Sequence, residues 1–280
     1  MRIAFFFAGL LLAAPAGAQA PAVLTLADQP LRLIRGTAVY KAQAGVAIQK
    51  DDILETGAAV AQLEAGPGAI VALGPQTRVL VQDLPTSGKG TTLALLRGWV
   101  KLMTNGAKPG QVTTPALQLA LASGAVIVRS GEDGRDAVFV EEGAQQLARV
   151  DKGRPGLPLK LAVEQYAEID PAKPQPVAGR LPRPFIAAMP PSFRDRLVRV
   201  QNLANAGKVA PTDKRDAGFA DVEPWLAVRI PGVKSFVPRF RPRLADQAFR
   251  SQLEAALGEQ PEWKAALHPP ARPSTAGVLF

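Results

Sequence analysis

The 280-residue sequence contains no cysteine and one histidine, His268. Without cysteine the chain has no thiol nucleophile, no thiolate metal ligand and no redox pair. A serine hydrolase triad and a multi-histidine metal site are also excluded, because the single histidine lies beside Pro269 and Pro270 near the C-terminus. We therefore predict a non-enzymatic protein that needs no cofactor.

Long hydrophobic runs are also absent. The longest, residues 3–14, has 12 residues, against the roughly 20 that a membrane-spanning helix requires. It follows Arg2 and precedes the small-residue string Ala16-Gly17-Ala18, an order typical of a secretory signal peptide. We predict a signal peptide over residues 1–18, export to the periplasm, and a mature chain without a transmembrane segment.

Positive charge is concentrated in the C-terminal part. Residues 19–170 hold 15 Lys and Arg against 15 Asp and Glu, and residues 171–280 hold 17 against 9. A sequence pI of about 10.1 could suggest nucleic acid as a partner. No nucleic-acid motif accompanies it, and export would separate the chain from that partner. The anions expected instead are those of the cell envelope.

Short apolar runs broken by glycine dominate residues 52–81. Gly57, Gly66, Gly68 and Gly74 interrupt runs of Val, Ile, Leu and Ala. These interruptions exclude a helical period and supply the positive φ that turns between short strands often need. Similar units continue to about residue 143. The pattern predicts a mainly β fold, whose short strands form a sandwich, a barrel or a β-solenoid.

Six short motifs follow one another in a fixed order within this β-rich part. They are Gly36-Thr37-Ala38-Val39, Asp52-Ile53-Leu54-Glu55-Thr56-Gly57, Leu95-Leu96-Arg97-Gly98-Trp99-Val100, Val112-Thr113-Thr114-Pro115, Gly124-Ala125-Val126-Ile127-Val128 and Val140-Glu141-Glu142-Gly143. In order and spacing they resemble the FecR-like periplasmic domain family over about residues 31–150. Three positions depart from the family pattern: Asp51 replaces a glycine, residues 65–68 replace an Asp-Gly-Ser turn, and Ala125 replaces a threonine.

The resemblance implies a β-roll or a short irregular β-helix, and a role in binding. Founding members of the family are inner-membrane regulators of iron uptake, with a cytoplasmic anti-sigma segment, one spanning helix and this domain in the periplasm. We expect neither of the first two features in this chain. The resemblance therefore implies a binding or signalling module. From the charge of the C-terminal part we predict that its basic tail docks to an anionic envelope polymer or to a cell-envelope protein.

Proline marks the boundary of the β-rich part. We predict a β domain over residues 31–170, a Pro-rich linker over 171–190 that is extended and poorly hydrogen-bonded, and a basic α-rich region over 191–280. In that region three helices are predicted. Ser192 begins one that carries Phe193, Leu197, Val200 and Ala204, Asp246 caps one over residues 247–257 that Gly258 ends, and Pro261 starts one with Trp263 and Leu267.

Arginine occupies every second position between Phe236 and Leu244. In an extended segment Arg239, Arg241 and Arg243 project from one face, which predicts an anion-binding strip. Trp225 and Trp263 are candidates to pack beside it on a sugar ring or a partner. The alternative is a solvated arginine face that pairs with Asp221, Glu223 and Asp246, and two tryptophans that belong to the core.

Other chemical motifs are weak. Residues 85–91 resemble a phosphate-binding loop, but Asp83 and Gly90 stand where Gly and Ser or Thr are required. Residues 130–135 favour a hairpin turn over a calcium loop. Asp51, Asp52 and Glu141 favour strand-end roles over an acid–base pair.

Two alternatives to the binding module remain: an envelope structure protein that binds peptidoglycan or lipopolysaccharide, and a carboxylate-only glycan hydrolase.

Overall fold

The computed structural model describes residues 22–85, 90–106, 109–173 and 176–269. The signal-peptide prediction and most of the phosphate-loop resemblance lie outside these residues. Within the described residues the strands are β1 (Ala22–Ala27), β2 (Leu31–Arg35), β3 (Ala38–Ala42), β4 (Ala47–Ile48), β5 (Ile53–Glu55), β6 (Ala61–Ala65), β7 (Ala69–Leu73), β8 (Arg78–Asp83), β9 (Thr92–Thr104), β10 (Gly110–Thr113), β11 (Leu117–Leu121), β12 (Gly124–Ser130), β13 (Asp136–Glu142), β14 (Gln145–Asp151), β15 (Arg154–Leu161), β16 (Gln165–Ile169), β17 (Val177–Arg180) and β18 (Thr212–Asp216).

Short helices occupy the C-terminal part. They are α1 (Arg183–Ala188), a 3-10 helix (Pro191–Phe193), α2 (Phe219–Ala227), α3 (Val237–Phe240), a second 3-10 helix (Arg241–Ala245), α4 (Gln247–Leu257) and α5 (Pro261–Leu267). The prediction of a mainly β fold with a small helical C-terminal part is confirmed, with 43% strand and 19% helix. Among the described helices, none has the length and apolar character needed to cross a membrane.

The sheet curls into two layers that share β9. In sheet A the order is β4-β1-β6-β7-β9-β12-β13-β16-β17. In sheet B it is β18-β3-β2-β5-β8-β9-β10-β11-β14-β15. These pairings are antiparallel except β9 with β10. The inner faces enclose one core of Leu, Val, Ile and Ala, which is the layered packing that short two-faced strands require.

Gly98 lets β9 pass from one layer to the other. Its φ is +97°, and a Cβ there would lie 2.5 Å from the Cα of Thr77. The Thr77 hydroxyl accepts a hydrogen bond of 2.9 Å from the backbone N–H of Trp99. Only glycine combines the left-handed conformation with this close approach. The residues on both sides of Gly98 therefore belong to one strand.

The outer face of sheet B is covered by a helical layer, residues 217–267. The side chains that alternate with the core residues, such as Ile34, Ile53 and Leu80, pack against α2, α4 and α5. Because both faces of these strands are buried, their sequences show imperfect alternation. The predicted helix over 247–257 is confirmed, with Asp246 accepting from the backbone N–H groups of Ala248 and Phe249. The predicted start of the last helix at Pro261 is confirmed as well.

The outer face of sheet A is covered by a strap, residues 185–197. Phe185, Met189, Phe193 and Leu197 fill a cluster with strands β7, β12 and β13. Lys101, which is 1% exposed, reaches out of β9 and fixes this strap. Its ammonium group donates to the carbonyls of Phe193 at 2.8 Å and Asp195 at 2.7 Å, and to Glu141 at 2.8 Å.

The predicted helix beginning at Ser192 is wrong. A 3-10 turn ends at Phe193, and no α-helix follows through residue 204. Side chains of sheet A take the backbone groups that a helix would use internally. Lys101 binds the Phe193 carbonyl, Gln62 binds the Val198 carbonyl at 3.0 Å, and Glu64 accepts from the Val200 N–H at 2.7 Å. The apolar period of this segment comes from separate anchors on the sheet.

The predicted linker is more ordered than expected. Its β17 pairs antiparallel with β16, and Pro at N1/N2 of α1 suits the first turn of a helix. Phe185 in α1 is 3% exposed. The expectation of a poorly hydrogen-bonded connector is therefore wrong for these elements. Beyond it, β18 returns to pair with β3. The division of the chain into three domains stays a prediction.

Asp136, at the start of β13, is a buried carboxylic acid. It is 2% exposed and accepts a hydrogen bond from the Thr114 hydroxyl, which also accepts from the Leu117 N–H at 2.9 Å. Burial raises the pKa of Asp136 to about 6, against the hydrogen bonds from Thr114 and Ser130, which lower it. The folded state therefore binds a proton that the unfolded chain has released at the same pH.

Replacing Asp136 with Asn tests this assignment. A raised folded-state pKa stabilises the fold fully below about pH 4, and that contribution is lost as the pH rises through about 6. Between these values we expect the wild type to lose up to about 3 kcal/mol of unfolding free energy relative to the variant, whose amide does not titrate. Urea unfolding at pH 4, 5, 6 and 7 measures this difference. A difference that is constant with pH would contradict the assignment.

Candidate functional site

The predicted arginine strip does not form. Residues 237–240 are α3 and residues 241–245 form a 3-10 helix, so the expectation of an extended segment is wrong. Pro238 and Pro242 each stand in the first turn of a helix, where proline is favoured. Phe236 and Phe240, four residues apart, bring their ring centroids within 6.2 Å. The alternating arginines are therefore distributed around a helical axis.

Each arginine of the predicted strip has a different environment. Arg239 donates to the carbonyls of Gly36 at 2.7 Å, Asp51 at 2.8 Å and Ile34 at 2.9 Å. Burial lowers the pKa of Arg239 from its ordinary value. Arg243 pairs with Asp216 and Asp246, both at 2.8 Å. Arg241 is exposed. Arg239 and Arg243 thus fasten the helical layer to its surroundings.

Both predicted tryptophans are core residues. Trp225 and Trp263 are each 1% exposed and belong to the cluster between sheet B and the helical layer. The indole N–H of Trp225 donates to Glu55 at 3.2 Å. Of the two interpretations offered by the sequence, the core one describes their position.

A row of charged side chains crosses four neighbouring strands of sheet B. Arg32 of β2 is directly opposite Glu55 of β5, Glu55 is opposite Arg78 of β8, and Arg78 is opposite Arg97 of β9. We call these four residues the charged row. Arg32 and Glu55 form an ion pair, and the nearest atoms of Arg78 and Glu55 are 3.7 Å apart. The row therefore contains three guanidinium groups and one carboxylate, with Arg32 and Arg78 on either side of Glu55 and Arg97 beyond Arg78.

The first half of the row is tied to the helical layer. Arg32 also pairs with Asp221 of α2 at 3.0 Å, and Arg215 binds both oxygens of that carboxylate at 2.6 and 2.8 Å. These hydrogen bonds from Arg215 are the main cause that holds the pKa of Asp221 below its ordinary value. Glu55, 5% exposed, is satisfied by Arg32 and Trp225. This half of the row is consequently part of the packing.

All four residues of the charged row line an open cavity of about 310 Å³. Pro30, Thr56, Gly57 and Gln76 complete its lining, and Arg78 and Arg97 are the two members of the row that the helical layer does not hold. Thr56 is held in place because its hydroxyl donates to the Gly74 carbonyl at 2.6 Å. The backbone N–H of Gln76 donates to the Gly57 carbonyl at 2.7 Å. The cavity wall thus holds three guanidinium groups and the Glu55 carboxylate beside a hydrogen-bonded turn, and its end at Arg78 and Arg97 is suited to an anionic group.

A second cavity, of about 920 Å³, lies between sheet B and residues 232–239. Its floor includes Gln82, Thr92 and Gln111, which stand on adjacent strands, and its rim includes Lys50 and Lys234. The side-chain oxygen of Gln82 is buried and has no hydrogen-bond donor among the residues that the structure describes. This cavity offers amide and hydroxyl groups to a polar ligand.

The acidic residues considered for acid–base chemistry do not converge. Asp52, 1% exposed, accepts two hydrogen bonds from Arg35 at 2.8 and 2.6 Å on sheet B. Glu141 lies on sheet A and pairs with Lys101; burial, opposed by that hydrogen bond, raises the pKa of Glu141. Asp51 has a φ of +67°, a left-handed conformation that favours glycine. All three residues have the strand-end roles that the sequence favoured.

The turn after β12 is the hairpin that the sequence predicts. The backbone N–H of Gly131 donates to the Arg135 carbonyl at 2.9 Å, which closes the loop between β12 and β13. In the part of the chain that the structure describes, no group of three or more His, Cys, Asp or Glu is placed to hold a metal ion.

Sequence reasoning missed the charged row and Lys101. Members of the row stand on four different strands, and only the strand register makes them neighbours. Lys101 was overlooked because it lies within an apolar run of its strand. A lysine at such a position is a signal in itself, because lysine is almost never fully buried without a partner.

Comparisons with known proteins give only a partial likeness. No protein-family model and no curated protein matches the sequence. Two crystal structures of a candidate anti-sigma factor from Parabacteroides distasonis are similar to it, with TM-scores of 0.39 and sequence identities of 16% and 17%. The similar part covers 46% of this chain and 59% of each of those chains. The function is therefore argued from this chain's own residues.

Arg239 and Arg241 provide a matched pair for testing the structural role of the former strip. Arg239→Ala leaves three backbone carbonyls without their donor, and we expect it to lower the unfolding free energy by about 2–3 kcal/mol. Arg241→Ala removes the same charge from an exposed position and should change it by less than about 0.5 kcal/mol. Chemical denaturation of both variants measures the effect. Equal losses would contradict the contacts described for Arg239.

Proposed function

We propose that this chain is an exported, non-enzymatic, FecR-like binding or signalling module of the bacterial cell envelope. The observation that carries the proposal is the charged row, which lines a cavity beside Thr56 and Gly57. Its Arg78 and Arg97 side chains are 26% and 31% exposed and line an open cavity on a packed sheet, at the Thr-Gly turn of the motif series that resembles the family. A surface of fixed cations on a packed scaffold suits recognition of a partner.

The rest of the geometry supports binding over catalysis. The carboxylates considered as an acid–base pair stand on different sheets, and each has its own cation. Neither of them lines the cavity at Arg78. The basic C-terminal region contributes to this function differently from the sequence expectation, because its helices cover sheet B and hold Arg32 and Glu55 in position.

The proposal is tested with the full chain expressed in a Gram-negative host. We expect the mature protein in the periplasmic fraction, without residues 1–18, and photo-crosslinking from a probe at Gln76 to capture one defined envelope protein in a saturable manner. A matched probe at Lys160, on the exposed strand β15, should not capture it. Retention of the chain in the cytoplasm, or equal capture from both positions, would contradict the proposal.

A second candidate function is that of an envelope structure protein that binds peptidoglycan or lipopolysaccharide. The larger cavity favours it, since the unpaired oxygen of Gln82 accepts a hydrogen bond from a hydroxyl or amide donor. Co-sedimentation with isolated sacculi or outer-membrane vesicles distinguishes the two candidates. Under this alternative, binding persists in high salt and is lost in Gln82→Leu. Under the first, binding to these polymers is weak and unaffected by that change.

A further inference from the structure

The charged row alternates in sign and then stops alternating. From β2 to β9 the directly opposed residues are Arg32, Glu55, Arg78 and Arg97. Glu55 lies between two guanidinium groups and pairs with both of them. No carboxylate of the described row occupies the corresponding place between Arg78 and Arg97. Two like charges directly opposite on neighbouring strands destabilise a sheet, and the carboxylates that offset this pair, Glu55 and Glu132, lie to either side of it rather than between the two arginines.

The hydrogen-bonding groups of the two arginines leave room for an added anion. Arg78 makes an ion pair with Glu55 at 3.7 Å, and among the described residues its guanidinium group donates no hydrogen bond. Arg97 pairs with Glu132, whose side chain is 73% exposed at the tip of the β12–β13 hairpin. By contrast, Arg32 is bound by two carboxylates. Arg78, which lines the cavity, therefore has N–H donors that Glu55 does not use, and among the described residues Arg97 beside it is held only by an exposed glutamate.

We infer that the cavity at Arg78 and Arg97 binds a carboxylate group from an acidic segment of a protein partner. This inference rests on the proposed function and specifies the partner chemistry of the same site. A carboxylate suits the position between Arg78 and Arg97, because the Glu55 carboxylate already lies between Arg32 and Arg78 in the same row. It also matches guanidinium geometry, in which two parallel N–H groups face two oxygens. The volume of about 310 Å³ accommodates a side chain of the partner.

A fluorescein-labelled, acetylated and amidated hexaglutamate peptide serves as the probe, with hexaglutamine as its neutral match. We expect fluorescence anisotropy at low salt to show binding of hexaglutamate only. Arg78→Gln and Arg97→Gln should each weaken it by about tenfold or more, the effect of losing one charge-assisted hydrogen bond. Arg229→Gln removes the same charge from a side chain that is 81% exposed and pairs with Glu262, and should weaken binding less than about twofold.

Three results would overturn the inference. The first is an equal loss of affinity in Arg229→Gln, which would indicate attraction by net charge alone. The second is unchanged affinity in both row variants. The third is a competition experiment in which inorganic phosphate displaces the peptide at lower concentration than acetate does, which would indicate a phosphate site.

Thermal unfolding without the probe gives an independent readout. Relief of like-charge repulsion predicts that Arg78→Gln and Arg97→Gln melt at the same temperature as the wild type or higher. Arg32→Gln should melt at a lower temperature, because it leaves Glu55 and Asp221 without their shared cation. A lower melting temperature in both row variants would assign them a structural role and overturn the inference.

The two proposals fail separately. If hexaglutamate does not bind while the probe at Gln76 still captures an envelope protein, the carboxylate inference is wrong and the proposed function stands. If hexaglutamate binds through Arg78 and Arg97 while the chain stays in the cytoplasm, the site is real and the proposed envelope function is wrong.

Discussion

The hydrogen bond from the Trp225 indole to Glu55 joins three parts of the molecule. Glu55 ends a central strand of sheet B, Trp225 is a buried residue of α2 in the helical layer, and the same carboxylate lies between Arg32 and Arg78 in the charged row. A buried carboxylate is tolerated only when donors satisfy it. Glu55 therefore requires both the helical layer and Arg32, and the half-buried Arg78 stands beside that arrangement.

Both sheets are covered on their outer faces, and this fact decides which surfaces are left for recognition. The helical layer covers the apolar outer residues of sheet B, and the strap covers those of sheet A. Some basic residues of the C-terminal region attach these covers, as Arg239 and Arg243 do through carbonyl and carboxylate groups. A high net charge in the sequence thus corresponds here to packing contacts as well as to a solvated surface.

How far the sequence could predict the molecule depended on whether the signal was local. Glycine spacing predicted the strands around β6 and β7, and Asp246 with Gly258 predicted both ends of α4, because turns and caps are formed by neighbouring residues. The segment after Ser192 failed because Lys101, distant in sequence, takes its carbonyls. The prediction of an extended segment from Arg239 to Arg243 was wrong, because arginine at every second position does not distinguish a strand from short helices when prolines lie between the arginines. The charged row required strand register, which no single segment encodes.

The return of β18 to β3 has a consequence for how the chain folds. A ribosome releases β1 to β17 before residues 212–267, so Ile34, Ile53 and Leu80 remain uncovered until the last part of the chain emerges. Contacts between distant segments form slowly, and an uncovered apolar sheet face is prone to aggregation in the meantime. The C-terminal helices thus cover the outer face of sheet B last, and the risk of aggregation through that face ends when they pack against it.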